Sequence, residues 1–139
     1  MEQIKIQIPS LPENIRIVES FIDNVKDKYQ INDNMYGNIM VAITEAVNNA
    51  IIHGNNSDRR KLVDLSLVLQ ENEVSFTIED QGQGFDFDNL PDPTAPENIE
   101  KEGGRGIFLI KNLANKYEYT HNGRIVEISF DLEEDEDDA

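Results

Sequence analysis

Hydrophobic residues recur along this chain with two different periods, and these periods predict where its strands and helices lie. Ile4, Ile6 and Ile8 alternate with polar residues, which is typical of a strand with one buried face. The same alternation predicts four further strands, the last two joined as a hairpin by an Asn-Gly turn. These strands occupy residues 61–69, 74–80, 117–120 and 124–132.

Three segments instead carry apolar residues at the spacing of a helix. The first begins at Ser10, which is followed three residues later by Glu13 in a capping-box arrangement. The second begins after the cap residue Asn32 and ends at Gly54, where a polar loop over residues 55–60 follows. The third covers residues 104–115. Because alternating strands have a single buried face, we expect an α/β two-layer sandwich, with a mixed, mostly antiparallel sheet and three helices on one face.

The second predicted helix carries polar residues beside its apolar face. Glu45, Asn49 and His53 are spaced four apart, so they lie on one shoulder of the helix at successive turns. A single Glu or Asn in such a position is more often the solvated edge of an amphipathic helix. Because all three share one shoulder, a functional site is the competing hypothesis. The apolar face comprises Ile39, Met40, Ile43, Ala46, Val47, Ala50 and Ile51.

A second unusual carboxylate follows the third predicted strand. Strand parity puts Asp80 at the end of an inward-facing row, and Asp80, Gly82 and Gly84 form D-x-G-x-G before a long segment without period, residues 81–103. Loops longer than about 12–15 residues are uncommon in compact domains unless they act as lids or binding loops. A buried carboxylate can accept a hydrogen bond from an exocyclic amine, and the glycines let backbone approach a flat ring. A plain Asp-Gly turn is the alternative.

Glycines also open the third predicted helix. Gly103, Gly104 and Gly106 precede its apolar residues, with Arg105 and Lys101 as nearby charges. First-turn amides and the helix dipole make such an end a natural phosphate site. The spacing is neither a Walker A loop nor a dinucleotide fingerprint. Simple flexibility at the helix start is the alternative interpretation.

Composition narrows the class of protein. The 139 residues predict one domain, and the absence of cysteine excludes disulfides and thiolate metal sites. The net charge is −16, and seven of the 28 acids lie in residues 131–139, so the other 21 acids against 12 bases leave −9. This charge argues against nucleic acid and anionic membrane as partners. We expect a cytoplasmic protein with a domain over residues 1–132 and a disordered acidic tail over residues 133–139.

Taken together and in this order, these motifs resemble those of the GHKL ATPase superfamily. The helix motif E-x-x-x-N-A-x-x-H is followed by D-x-G-x-G, a lid-length loop and G-x-G opening a helix. Within the superfamily the sequence is similar to the small serine kinases that act as anti-sigma factors, over nearly the whole of residues 4–130. The stretches EAVNNAIIHG and GRGIFLI are the most similar. The resemblance implies the Bergerat ATP-binding fold.

The resemblance also implies residue roles. Glu45 would be the general base that takes the proton from an attacking hydroxyl. Asn49 would give its carbonyl oxygen to Mg²⁺, and Asp80 would bind the adenine amino group. Residues 86–101 would form the ATP lid, and His53 is interpreted as a structural partner of the helix end. The remaining nucleotide contacts would come from Gly82 and Gly84 along the base and from Gly104, Arg105 and Gly106 at the phosphates.

The implied function is an ATP-dependent serine/threonine protein kinase. It would phosphorylate a small anti-anti-sigma partner, sequester a sigma factor and form a homodimer. A nucleotide-gated binding module with little or no turnover remains the alternative, because binding uses nearly the same residues. The catalytic part of a histidine kinase is set aside, since no helix carrying a phosphoacceptor His precedes the domain. One departure from the family is that Arg124 and Ile125 follow Gly123, where a Thr near the adenine is usual.

Overall fold

Five strands form one sheet in the computed structural model, which describes residues 2–82 and 102–132. Their order across the sheet is β1-β2-β3-β5-β4, and all four pairings are antiparallel. The predicted two-layer α/β class is confirmed. The strands are β1 (Glu2–Pro9), β2 (Leu62–Gln70), β3 (Glu73–Glu79), β4 (Lys116–Thr120) and β5 (Ile125–Asp131).

One face of the sheet carries the apolar rows that the alternation predicted. Phe76 on β3 lies opposite Leu67 on β2 and Ile128 on β5, and all three are fully buried. The rings of Phe76 and Phe130 meet edge to face, with centroids 6.1 Å apart. The row on β3 ends in Ile78, two residues before Asp80, so strand parity carries that carboxylate to the same face as the core.

Helices cover this apolar face. They are α1 (Ile15–Tyr29), α2 (Asp33–Asn49) and α3 (Glu102–Leu113), and α2 lies between the other two and contacts both. The predicted cap of α2 is confirmed, because the Met35 N–H donates to Asn32 Oδ1 over 2.8 Å. After Asn49 the helix continues as a single π turn, Ala50–Gly54, so it ends at the predicted glycine.

The capping role predicted for Ser10 is wrong. A 3₁₀ turn, Pro12–Asn14, precedes α1, and no side chain caps either element. Ser10 is wholly buried, and its hydroxyl donates to the Lys61 carbonyl over 2.8 Å. The reason is topological: Ser10 directly follows β1, and β1 pairs with β2, so Ser10 lies beside the residue that precedes β2.

Some predictions fall outside the described residues. These include Gly84, Lys101, the lid over residues 86–101 and the tail over residues 133–139. Within the described ranges, no helix combines the length and the hydropathy that crossing a membrane requires.

Candidate active site

The polar shoulder predicted on α2 is present beside a buried apolar face. Glu45 and Asn49 are half-buried, one turn apart, whereas Ile43, Ala46 and Val47 between and beside them are buried. Neither polar side chain forms a hydrogen bond with another residue in the described part of the chain. A carboxylate and a carboxamide are therefore held on the same side of α2 with their oxygens available to a ligand.

His53 continues the same line of residues but differs in setting. It lies in the π turn that follows α2, and its ring is exposed. The structural role of His53 at the helix end stays a prediction.

Asp80 is buried at the end of β3. The residue is only 4% exposed, and its backbone N–H donates to the Arg124 carbonyl over 3.0 Å. The Gly82 N–H donates to Asp80 Oδ1 over 2.8 Å, which leaves Oδ2 without a hydrogen bond among the residues described. Burial raises the pKa of Asp80, and this effect is opposed by the Gly82 hydrogen bond and the positive charge of Arg124.

Two glycines pack directly against this carboxylate. A Cβ on Gly54 would lie 2.4 Å from Asp80 Oδ2, and a Cβ on Gly82 would lie 1.9 Å from the Gly54 carbonyl oxygen. Neither space could hold a side chain without movement of its neighbours. The end of the α2 π turn and the turn after β3 therefore meet backbone to backbone, with Asp80 enclosed between them.

A small cavity joins the two polar regions. It is lined by Asn49 from α2, Asp80 from the turn after β3, and Tyr119 and Arg124 from the β4–β5 hairpin. Its volume is about 20 Å³, room for one water molecule, so a purine base would require the lining side chains to move apart. Burial raises the pKa of Tyr119, so its hydroxyl stays protonated at neutral pH.

The chemistry of the residues that line this cavity suits an adenine nucleotide with Mg²⁺, and the cavity must widen to admit it. Asp80 Oδ2 can accept from an exocyclic amine, and the missing side chains of Gly54 and Gly82 let the two turns close around this carboxylate. The Asn49 carbonyl oxygen is a hard donor of the kind that Mg²⁺ prefers. The base contact and the metal contact would then both line one cavity.

Only the backbone is described at the glycine-rich start of α3. The helix begins at Glu102, so Gly104 and Gly106 lie in its first turns rather than ahead of it. Nothing is described of the Arg105 side chain. The phosphate contacts assigned to these three residues therefore stay predictions.

Asn55 lies in the segment that the sequence predicts to be a polar loop, and its sequence context does not identify it as a site residue. Asn55 is 0% exposed, and its carboxamide is fully hydrogen-bonded. Polar composition indicated a loop, and this part was correct. Only its position directly after Gly54, which ends α2, signalled that the residue stays near the core.

Comparison with known proteins confirms the resemblance drawn from the motifs. The family model of the histidine kinase-like ATPase domain matches residues 8–130. Serine-protein kinase RsbW of Oceanobacillus iheyensis is 27% identical over 81% of this chain and 75% of its own length. The protein of the same name from Halalkalibacterium halodurans is 28% identical over 90% of this chain and 80% of its own length.

A solved structure supports the same fold. A crystal structure of the RsbU and RsbW domains of a Mycobacterium tuberculosis protein matches 94% of this chain with a TM-score of 0.66 and 16% sequence identity. This chain spans 31% of that longer one, so the likeness concerns one of its domains. At this identity it shows the fold alone.

Proposed function

Because the chain belongs to the histidine kinase-like ATPase domain family, we propose that it is an ATP-dependent serine/threonine protein kinase of the anti-sigma-factor type. The observation that carries this proposal is the cavity lined by both Asn49 and Asp80, with Glu45 one helical turn from Asn49. Relatives matched over 81% and 90% of this chain bear the name serine-protein kinase. This cavity brings the proposed base contact and the proposed metal ligand together, which supports the proposal.

At the base end, Asp80 would select adenine. Its Oδ2 would accept a hydrogen bond from the exocyclic amine, while Oδ1 is already engaged by the Gly82 N–H. A hydrogen bond to a charged acceptor contributes about 1.5–3 kcal/mol, enough for roughly tenfold to hundredfold discrimination. Guanine presents a carbonyl oxygen in place of that amine. Two acceptor oxygens would then face each other with no hydrogen to form a bond.

At the phosphate end, Glu45 would act as the general base. It would take the proton of a serine or threonine hydroxyl as that oxygen bonds to the γ-phosphorus of ATP, and the bond to ADP breaks. Asn49 would orient the metal through its carbonyl oxygen. When bound, Mg²⁺ neutralises charge on the phosphates, which is a large part of catalysis in phosphoryl transfer.

The partners are proposed from the same relationship. The phosphate would go to a small anti-anti-sigma protein, and the chain would sequester a sigma factor when that protein is absent or phosphorylated. We expect a cytoplasmic homodimer, with residues 1–132 as the nucleotide-binding domain and residues 133–139 as an acidic tail. The net charge of −16 agrees with protein partners rather than nucleic acid.

A transfer assay tests the proposal. The purified chain is incubated with γ-labelled Mg-ATP and with a small single-domain candidate partner encoded beside it. We expect label on a partner serine or threonine, and no label when Glu45→Gln replaces the unaltered chain. Nucleotide-dependent partner binding without transfer would favour the gated binding module. Absence of any ATP binding at millimolar nucleotide would overturn both functions.

A further inference from the structure

Asn55 is a buried polar centre next to the proposed base site. Its Nδ2 donates to Ser10 Oγ over 2.8 Å and to the Leu62 carbonyl over 3.1 Å. Its Oδ1 accepts from the Gln81 N–H over 2.7 Å. Asn55 is 0% exposed. Both the NH₂ group and the oxygen of its carboxamide are therefore buried and hydrogen-bonded to protein.

These contacts tie together parts of the chain that are distant in sequence. Asn55 follows the π turn of α2, and its N–H donates to the Ala50 carbonyl over 2.9 Å. Gln81 is the central residue of the Asp80–Gly82 turn, and its own side chain accepts from the Leu62 N–H over 2.6 Å. The carboxamide thus links the end of α2 to the turn that carries Asp80.

We propose that Asn55 is the positioning residue for base recognition, because its Oδ1 holds the Gln81 N–H and thereby fixes the Asp80 carboxylate relative to α2. This inference rests on the proposed function and adds a residue to it. Since α2 also carries Asn49 and Glu45, Asn55 fixes the relative positions of the base contact and of the groups at the phosphates. It touches neither base nor phosphate itself.

The two halves of the carboxamide have separable roles. The NH₂ group stabilises the fold through Ser10 and Leu62, whereas the oxygen holds the turn. Asn55→Asp keeps the oxygen, loses the donors and buries a carboxylate. Asn55→Ala loses both halves but buries no charge. Stability and base discrimination should therefore rank these two variants in opposite orders.

The experiment measures both properties in the full chain. Base discrimination is the ratio of dissociation constants for purine riboside triphosphate, which lacks the 6-amino group, and ATP, each with Mg²⁺. We expect Asn55→Ala to lower this ratio about tenfold, while Asn55→Asp stays within about twofold of the unaltered chain. Urea unfolding should show Asn55→Asp to be no more stable than Asn55→Ala. Asn56→Asp, at the exposed neighbouring residue, should leave both readouts unchanged.

Two outcomes would overturn the proposal. One is an unchanged ratio in Asn55→Ala, and the other is a ratio that falls in the same order as stability, which is what a purely structural role would give. Should Asn55→Ala not fold, hydrogen exchange of the Gln81 amide in the unaltered chain decides: we expect protection without nucleotide, and exchange as fast as an exposed loop amide would refute the link. Failure of the proposed function is distinct: without a nucleotide site the unaltered chain would bind neither nucleotide, and without kinase activity it would bind ATP but transfer no label.

Discussion

The two ends of the proposed nucleotide site are built in different ways. The base end consists of the buried Gly54, Asn55 and Asp80 with the half-buried Gly82, and it is held by hydrogen bonds of the protein. The phosphate end, represented on α2 by Glu45 and Asn49, is half-buried, and those two side chains bond to no other described residue. The base end is positioned by the protein and leaves only Asp80 Oδ2 for a ligand, whereas the side chains at the phosphate end have no partner among the described residues.

This difference separates recognition from chemistry. Groups that distinguish one base from another need fixed positions, because a hydrogen bond to a misplaced acceptor weakens steeply with angle and distance. Groups at the phosphates meet a ligand that carries its own ion and charges, which can order them on arrival. Mutations at the base end should therefore alter both affinity and stability, whereas mutation of Glu45 at the phosphate end should alter rate alone.

The largest expected effect lies at the phosphate end. Glu45→Gln keeps the size of the side chain but cannot take a proton, so phosphoryl transfer should fall by roughly 10²–10⁴-fold. ATP affinity should stay within about twofold, because the base end is untouched. Transfer of labelled phosphate and calorimetry with Mg-ATP measure the two quantities separately.

A matched control for this change is Glu79→Gln. Glu79 is an exposed carboxylate that directly precedes Asp80, so the variant removes the same charge without altering α2. It should transfer phosphate at the unaltered rate. Equal rates in Glu45→Gln and the unaltered chain would refute the assignment of the base.

At the base end, Asp80→Asn should move affinity and stability in opposite directions. ATP affinity should fall about tenfold to hundredfold, because the carboxamide cannot match the charged acceptor. Burial raises the pKa of Asp80, which means that the folded state disfavours the charged form. Removing that charge should therefore raise the free energy of unfolding at pH 7. Urea unfolding without nucleotide measures it, and a loss of stability would contradict the argument.

The same carboxylate predicts a pH dependence with two opposite signs. A pKa raised by folding gives a contribution to stability that is fully present below the unfolded pKa and lost as pH rises through the folded pKa. The proposed base contact needs the ionised form, so ATP affinity should rise over the same interval. That interval begins at the ordinary pKa of an Asp and ends at the raised pKa of the folded state. Calorimetry and unfolding across pH 4–7 test this, and Asp80→Asn should remove both dependences.

The sequence predicted the position of a residue correctly where that residue belongs to a periodic pattern. The buried position of Asp80 followed from strand parity, because side chains alternate strictly along β3. The shoulder shared by Glu45 and Asn49 followed from helical spacing. The resemblance to a family then assigned roles that periodicity alone could not.

Residues whose partners lie far away in the chain were not predictable in this way. Ser10 was interpreted as a helix cap because the local motif fits one, yet its hydroxyl bonds to Lys61. Asn55 was placed in a polar loop, yet it bonds to Gln81, a residue 26 positions away. For Ser10, the pairing of β1 with β2 outweighed local preference. For Asn55, the approach of the α2 end to the Asp80 turn did so.

Gly54→Ala tests the close packing at the base end. The added Cβ would lie 2.4 Å from Asp80 Oδ2, so the carboxylate or the π turn must shift. Overpacking of this kind costs about 1–3 kcal/mol of unfolding free energy. ATP affinity should fall as well, because the shifted group is the proposed base contact. Thermal unfolding and calorimetry measure the two effects, and unchanged affinity would argue against Asp80 as that contact.

The smallest effect, and one of opposite sign, is expected from Gly37→Ala near the start of α2. This glycine is exposed inside the same helix, and an added Cβ meets nothing within 4 Å. Alanine favours a helix interior over glycine by about 1 kcal/mol, so the variant should be more stable by roughly 0.5–1 kcal/mol. ATP affinity should not change. The chemical change is the same as in Gly54→Ala. If the free energy of unfolding rises in Gly37→Ala and falls in Gly54→Ala, the loss at Gly54 comes from contact with Asp80 and not from the backbone of the helix. Destabilisation by both variants would remove that distinction, and with it the argument that the base end is built by close packing.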